Sequence, residues 1–388
     1  MKKVFKPSLL NIAIAIVISP FAIANDNPDD TSVFEQLTIF GSGQSVNDVP
    51  GSAYLLSQED LEKFNYSDIM RTLTSVPGVY VLEEDGYGLR PTIGMRGTGQ
   101  NRSEKVTIME DNVLAAPAPY SAPSAYYFPT AGRMQQVEVL KGTSSAMYGP
   151  RTTGGVVNML SRQIPEESMA GQLAVQIGQD GFAKVHGYVG TKGENIGTLF
   201  EVYRYQADGF KSINHSDNET GFVKNDILGK VRFTSDASAT YYQELELKLK
   251  YSDEDSDDTY MGLTKGDYTN SPYTRYSASQ KDNMSTEHMQ VQLNHLIDLS
   301  ERFSLGTSVY YNDFSRNWYK TSKINGDSLG KGGIEAAAAY DKSASDSSLE
   351  VDVKANNRDY LSQGIQTVLD VDFNAHQVKF GLRFHKDE

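Results

Sequence analysis

The chain has 388 residues, a formal net charge of −14 at pH 7, 23 tyrosines, 33 glycines, one tryptophan and no cysteine. The missing cysteine excludes disulfides, thiolate metal sites and cysteine nucleophiles, and the acidic surplus argues against nucleic acid, whose phosphates need a basic surface. Many Tyr and Gly in a mostly polar chain suit a strand-rich protein with aromatic girdles better than a helical one.

Residues 1–24 read as a signal peptide. Lys2 and Lys3 precede an apolar run from Leu9 to Ile23, and Ala22-Ile23-Ala24 supplies the small-residue cleavage site before Asn25. No later segment approaches the roughly 20 apolar residues of a spanning helix. An exported chain of this kind is periplasmic, secreted or a membrane barrel. Residues 25–48 form a polar, acidic linker around one β-prone patch, Glu35, Gln36, Leu37, Thr38, Ile39 and Phe40. Such a patch needs an edge to pair with, either inside the molecule or on a partner's sheet.

Residues 49–165 alternate short strands and helices. Strands are expected at 52–56, 79–82, 92–95, 106–109, 136–140 and 156–160. Ser57 opens a helix as a capping box with Asp60, and Ser67 caps a second helix at 68–73 that Pro77-Gly78 ends. A Pro/Ala/Tyr-rich loop fills 115–129. The glycines at 149, 154 and 155 fall where the backbone must turn or pass close to another wall. The result is a compact α/β domain of about 130 residues, enough for a modest core.

Beyond Pro165 the period becomes two. Glu244 to Tyr251 alternates charged and apolar residues without error, and further runs lie at 171–178, 183–190, 197–206, 222–233, 287–297, 302–314, 347–355, 364–374 and 376–385. That makes about ten strands, many near the roughly ten residues needed to cross a bilayer at a tilt. Short turns at 179–181 and 299–302 alternate with polar loops at 208–221, 252–284 and 315–345, the pattern of an outer-membrane barrel. Glu244, Glu246, Lys248 and Lys250 on one face imply a wet interior; a soluble β-sandwich would bury a dry one.

Met95-Arg96-Gly97, Glu138-Val139 with Lys141-Gly142, Ala146-Met147-Tyr148-Gly149 and Gly154-Gly155-Val156-Val157-Asn158 resemble, in order and spacing, the plug signature of the TonB-dependent outer-membrane receptors. The resemblance implies an α/β plug followed by a transmembrane barrel, here residues 166–388. It makes the 35–40 patch the TonB box, and TonB with its inner-membrane energising complex the partner. It also implies contact with outer-membrane lipid and lipopolysaccharide. The loop Ala118 to Pro129 and the run Gly262 to Tyr268 are similar to ferric citrate receptors. No signalling domain stands between Ala24 and the box, and the plug loop SAPSAYY lacks that subgroup's glutamines.

The resemblance implies no enzyme and no cofactor, but a transported ferric chelate, with other metal chelates as the alternative. An anionic iron carboxylate needs guanidinium, ammonium and hydroxyl donors. Asn101, Arg102 and Lys105 after the MRG motif, Tyr120, Tyr126 and Tyr127 in the Pro/Ala loop, and Lys265 and Arg275 in the third long loop are the candidates. Arg96, Glu138 and Arg162 are expected to pair the plug to the barrel wall. No catalytic set is apparent, neither Gly-x-Ser-x-Gly nor His-Glu-x-x-His. The six histidines show no ligand spacing, and the acidic run 253–258 departs from a calcium loop at positions 6 and 12, so no metal site is expected. A plugless porin or adhesin barrel would explain the strands but not the plug motifs.

The barrel is expected to be incomplete. Ten strands close a cylinder of roughly 20 Å, whereas a domain of about 130 residues is roughly 36 Å across and needs about 22 strands. An open edge in lipid leaves costly unpaired backbone groups. The sequence thus reads as the N-terminal part of such a receptor.

Overall fold

The structure is a computed structural model that describes residues 51–99, 101–115, 117–120, 127–236, 238–257, 259–343, 348–373 and 376–388. The expected signal peptide at 1–24, the linker and the 35–40 patch lie outside the described residues.

The first domain contains β1 (Ser52–Leu56), α1 (Gln58–Phe64), α2 (Ile69–Leu73), β2 (Val79–Leu82), β3 (Thr92–Met95), β4 (Val106–Glu110), β5 (Val113–Leu114), β6 (Met134–Lys141) and β7 (Gly155–Ser161). Five strands form one sheet in the order β1-β6-β7-β4-β5, and β2 pairs β3 in a separate hairpin. Ser57 and Asp60 form the anticipated capping box on α1. The second cap is Asp68, not Ser67: the Asp68 carboxylate accepts from the Met70 N–H at 2.7 Å. Ser67 instead shares a 2.7 Å hydrogen bond with the Tyr203 hydroxyl. The core gathers the apolar faces of α2 and the sheet: Ile69, Met70, Leu73, Ile93, Met95, Ile108, Val139, Val157 and Met159.

The remainder is a wall of long antiparallel strands: β8 (Met169–Ile177), β9 (Ala183–Lys192), β10 (Ile196–Ala207), β12 (Phe222–Thr234), β13 (Tyr242–Ser256), β15 (Asn283–Ser300), β16 (Phe303–Ile324), β18 (Val351–Asp372) and β19 (Gln377–Asp387). Short pieces sit between them, β11 (Ser212–Ile213), β14 (Thr274–Arg275) and β17 (Asp327–Ser328). With β17 on β16 the sheet has ten strands, and its path runs from β19 to β8 without closing among the described residues.

Three details differ from the sequence reading. The runs 347–355 and 364–374 are one strand: β18 continues for 22 residues through the polar Asn356-Asn357-Arg358-Asp359, because both its faces are wet at that height. For the same reason β13 reaches Ser256 and β16 reaches Ile324, inside what read as loops. At about 3.3 Å per residue, strands of 22 residues span roughly 70 Å, well past the hydrocarbon layer of about 30 Å. Finally, strand alternation places the short 178–182 turn at the same end as the long loops. The other end carries 193–195, 235–241, 301–302 and 373–376.

Register explains which face is which. Val231, Leu247, Leu293, Val309, Ile365 and Phe384 stand side by side across six strands, and the last four are exposed on the outer face. Towards the long loops this apolar band gives way to a rung of Asp253, Glu287, Ser315 and Asp359. The inner face packs on the α/β domain. Several tyrosines follow it there instead of joining an outer girdle: Tyr203, Tyr205 and Tyr310 are buried.

Candidate ligand site and plug–wall interface

Of the charged residues that alternate along β13, Lys248 and Lys250 do not line a wet lumen. Lys248 and Lys250 are fully buried, because the β4–β5 turn of the α/β domain delivers carboxylates to them. Glu110 accepts from Lys248 at 2.8 Å, from Lys250 at 2.6 Å and from Arg133 at 2.6 Å. Asp111 lies 2.5 Å from Lys248, and Arg133 reaches Asp226 of β12 at 2.8 Å. Three carboxylates thus face three cations in one dry layer, the composition that lets buried charges persist. Burial opposes the charge on Glu110, but Arg133, Lys248 and Lys250 overcome it and hold its carboxyl well below the ordinary 4.5. Tyr127 seals the layer: its hydroxyl accepts from Lys250 at 2.6 Å, and its ring centroid lies 4.1 Å from that of His288 at a 38° tilt.

Other contacts tie the same two bodies together. Arg90 meets Glu254 at 2.5 Å. Arg162 donates to Glu201 of β10 at 3.2 Å while lying 3.9 Å over the Tyr188 ring. Lys184 donates to the Asn65 carbonyl at 2.9 Å. Of the three residues expected to pair plug with wall, Arg162 reaches a wall strand. Glu138 is buried and accepts from Asn158 at 2.8 Å within the plug sheet. Arg96, at φ 51°, is exposed beside Lys141 and Gly142.

Towards the short-turn end a cavity of about 830 Å³ opens between the 146–150 segment and the wall, lined by Lys230, Arg232, Gln366, Lys379 and Arg383 among others. Its ceiling is bridged by the Arg383 to Tyr148 carbonyl bond at 2.8 Å and the Gln366 to Asn112 carbonyl bond at 3.0 Å.

At the long-loop end the inner faces of β16 and β18 hold an arrangement the sequence reading missed. Arg316 stands directly opposite Arg358, and Lys320 directly opposite Lys354. Trp318 lies between them on β16. The Lys320 ammonium sits 3.3 Å from the Tyr260 ring centroid and 3.8 Å from that of Trp318, and the two rings meet edge-on at 5.2 Å. Arg102, from the plug turn after MRG, stands close enough to act electrostatically on Lys320, as does Asp282 with the opposite sign. Like charges placed opposite one another on a sheet destabilise it. Two such rungs, with the Trp318–Asn356 rung between them, set four cations on one face of β16 and β18. The only advance signals were Arg316, Trp318 and Lys320 at period two, inside a stretch that read as loop.

The other sequence candidates divide. Asn101, Arg102 and Lys105 are exposed at the plug tip, in and beside a 3-10 turn where Arg102 has φ 52°. Tyr120 is 54% exposed, and its N–H donates to Asp387 of β19 at 2.8 Å. Tyr126 lies outside the described residues. Tyr127 is not ligand-facing: at 7% exposure it belongs to the buried ion layer, its hydroxyl held by Lys250. Lys265 is exposed at the start of α3 (Lys265–Asn270). The Arg275 guanidinium donates to the Pro272 and Thr274 carbonyls at 2.8 Å each, which makes it a loop brace. The acidic run differs too: Asp253 and Asp255 sit on the outer face of β13, and Glu254 points inward to Arg90. Among the described residues no three His, Cys, Asp or Glu side chains are placed to hold a metal.

A mixed α/β plug seated by buried ion pairs on the inner face of an antiparallel wall defines the plug-and-barrel class of proteins. Residues 45–156 match the TonB-dependent Receptor Plug Domain family, so the α/β domain is similar to the plugs of the TonB-dependent receptors. It is 26% identical over 231 residues to a vitamin B12 transporter of Photobacterium profundum, covering 58% of this chain and 37% of that one. It is 30% identical over 162 residues to an iron-regulated outer membrane virulence protein of Vibrio cholerae, covering 40% and 24%. Among solved structures, the ferric citrate transporter FecA in its unliganded form superposes with a TM-score of 0.67 at 19% identity, covering 88% of this chain and 48% of that one. The siderophore receptor PiuA of Acinetobacter baumannii gives 0.63 at 17%, covering 92% and 49%. The chain therefore spans about half the length of the solved structures and about a quarter to a third of the curated relatives it matches.

Proposed function

We propose that this chain is the plug and first wall strands of an outer-membrane receptor that takes up an anionic metal chelate, an iron carboxylate such as ferric citrate in particular, under the control of TonB. The observation that carries the ligand class is the double rung of Arg316, Arg358, Lys320 and Lys354, with Arg102 above it. A polyanion can bridge cations that stand level on neighbouring strands, and the rigid aromatic faces of Trp318 and Tyr260 beside Lys320 can fix its orientation. Among the proteins it resembles, the ferric citrate transporter supports an iron ligand and the vitamin B12 transporter a corrinoid. Four cations on one face of the neighbouring strands β16 and β18 favour the anion.

The chain has a single tryptophan, and it lies inside the array. Titration of the chain in detergent with ferric citrate, an anionic ferric catecholate and cyanocobalamin, read by Trp318 emission, tests the assignment. Saturable quenching by an iron anion, weakened by Lys320→Gln and by added salt, supports it. Saturable quenching by cyanocobalamin alone overturns it. The TonB reading rests on residues 35–40, whose apolar patch can add a strand to a partner sheet. A 25–48 peptide that fails to capture the TonB C-terminal domain removes that part.

A further inference from the structure

Three long loops, far apart in sequence, are built as a single body. Loop 208–221 adds β11 to β14 of the next loop in parallel register, Ser212 opposite Thr274. The Asn214 N–H donates to the Arg275 carbonyl at 2.9 Å, and Asn218 reaches the Gln280 carbonyl at 2.8 Å. The third loop contributes α4 (Gly333–Lys342). Its Ala337 and Ala338 share a buried core with Met261, Tyr276, Ala278 and Ile324. Surface loops ordinarily lack such a core.

Asp341 stands where all three meet. One of its oxygens accepts from the Ser277 hydroxyl at 2.6 Å; the other accepts from the Ser277 N–H at 3.0 Å and from the Asn214 amide at 2.9 Å. The Asp341 carbonyl also bonds the His215 ring at 3.2 Å, and the neighbouring Lys342 pairs with Asp267 at 2.6 Å. The turn Ser277–Ser279, held by Asp341 on one side, is held on the other by Thr321, whose hydroxyl donates to the Ala278 carbonyl at 2.9 Å. Asp282, just past that turn, accepts from Thr321 and from the Tyr260 N–H at 3.0 Å. A short run of hydrogen bonds thus leads from Asp341 to the ring that covers Lys320.

We propose that the loops 208–221, 259–282 and 325–343 form one cap that moves as a unit, that Asp341 is its keystone, and that Asp341 is a positioning residue for the cation array because the cap holds Tyr260 against Lys320. Its bearing on uptake rests on the array as ligand site. The cap itself is tested without ligand, so failure of either reading is distinguishable from failure of the other.

The experiment is hydrogen exchange on the full chain in detergent, together with acrylamide quenching of Trp318. Asp341→Ala removes three hydrogen bonds to a carboxylate. Each is worth about a factor of ten or more, so exchange in 208–221 and 271–282 rises at least tenfold and Trp318 becomes more accessible. Strands β12, β13 and β15 keep their protection. Asp341→Asn keeps the shape, because its oxygen accepts from Ser277 and Asn214 while its amide faces the Ser277 hydroxyl; it restores most of the protection. Ser277→Ala, which removes only one side-chain bond, moves both readouts part of the way, and covers the case in which Asp341→Ala fails to fold. The proposal is overturned if loop 208–221 and Trp318 are unaffected by both Asp341→Ala and Ser277→Ala, or if only loop 325–343 responds.

Discussion

Glu110→Gln isolates what seats the plug. In the native layer Glu110, Asp111 and Asp226 balance Arg133, Lys248 and Lys250, and Glu110 alone touches all three cations. The glutamine side chain is nearly isosteric with glutamate, so packing is unchanged, but the layer gains one uncompensated positive charge where Lys248, Lys250 and Arg133 are each 5% exposed or less. Removing one partner of a buried ion pair costs about 3–5 kcal/mol. At 1.36 kcal/mol per decade, that lowers the plug-seating equilibrium by roughly two to four powers of ten. The assay is urea-dependent release of the plug from the wall, read by protease cleavage at the 84–90 and 101–105 turns, with strand protection followed separately. Lys250→Met in the Glu110→Gln background removes the stranded charge and recovers part of the loss. A midpoint shift no larger than that of Glu59→Gln, on an exposed face of α1, would refute the argument. So would additivity of the two substitutions.

Three further outcomes rest on the same structure. Because the folded Glu110 carboxyl lies far below its ordinary 4.5, its stabilisation is complete above that value and declines as pH falls below it; plug release therefore becomes easier on acidification below about pH 4.5, and Glu110→Gln flattens that slope. Asp68 has the opposite sign. Burial, with Asp85 and Glu83 nearby, raises its carboxyl to about 6 against the Met70 hydrogen bond, so the plug loses stability as pH rises from about 4 to 6, and Asp68→Asn, which keeps the cap, removes that dependence in thermal unfolding. Gly155→Ala would place a Cβ 2.3 Å from the Leu140 carbonyl oxygen and 2.6 Å from the Met95 sulfur. Overpacking of this kind costs about 1–3 kcal/mol, measurable as a lowered urea midpoint for the plug, whereas Gly229→Ala on β12, with open space around its Cβ, leaves it unchanged.

The fold was legible where local rules suffice. Period-two alternation located the wall strands, because one face is apolar and exposed and the other packs on the plug. The capping box at Ser57, the breaks at Pro77-Gly78, and Gly155 pressed on Leu140 all announce themselves in a short window. What escaped was set by tertiary partners. Lys248 and Lys250 read as lumen charges because a single strand does not reveal that Glu110 and Asp111, more than 130 residues earlier, descend onto them. Tyr127 read as a ligand contact for the same reason: nothing near it in sequence shows the lysine that binds its hydroxyl.

The cation array was hidden by a different cause. Above the apolar band β16 is polar on both faces at Ser315 to Asn317 and β18 at Asn356 to Asp359, so alternation of hydropathy breaks there although the strands continue. Alternation of charge remains. Arg316 and Lys320 are four apart on β16, Lys354 and Arg358 four apart on β18, and antiparallel pairing brings each pair level with the other. A chain selected only for stability would avoid those two rungs, since opposing like charges cost a sheet energy that a Lys–Glu pair would return. Replacing Lys354 with Glu should therefore stabilise the long-loop ends of β16 and β18, seen as slower exchange at 316–322 and 352–358, while abolishing Trp318 quenching by an iron anion. If that variant exchanges faster and still binds, the rungs are held by contacts within the fold, and the anion has no part in them.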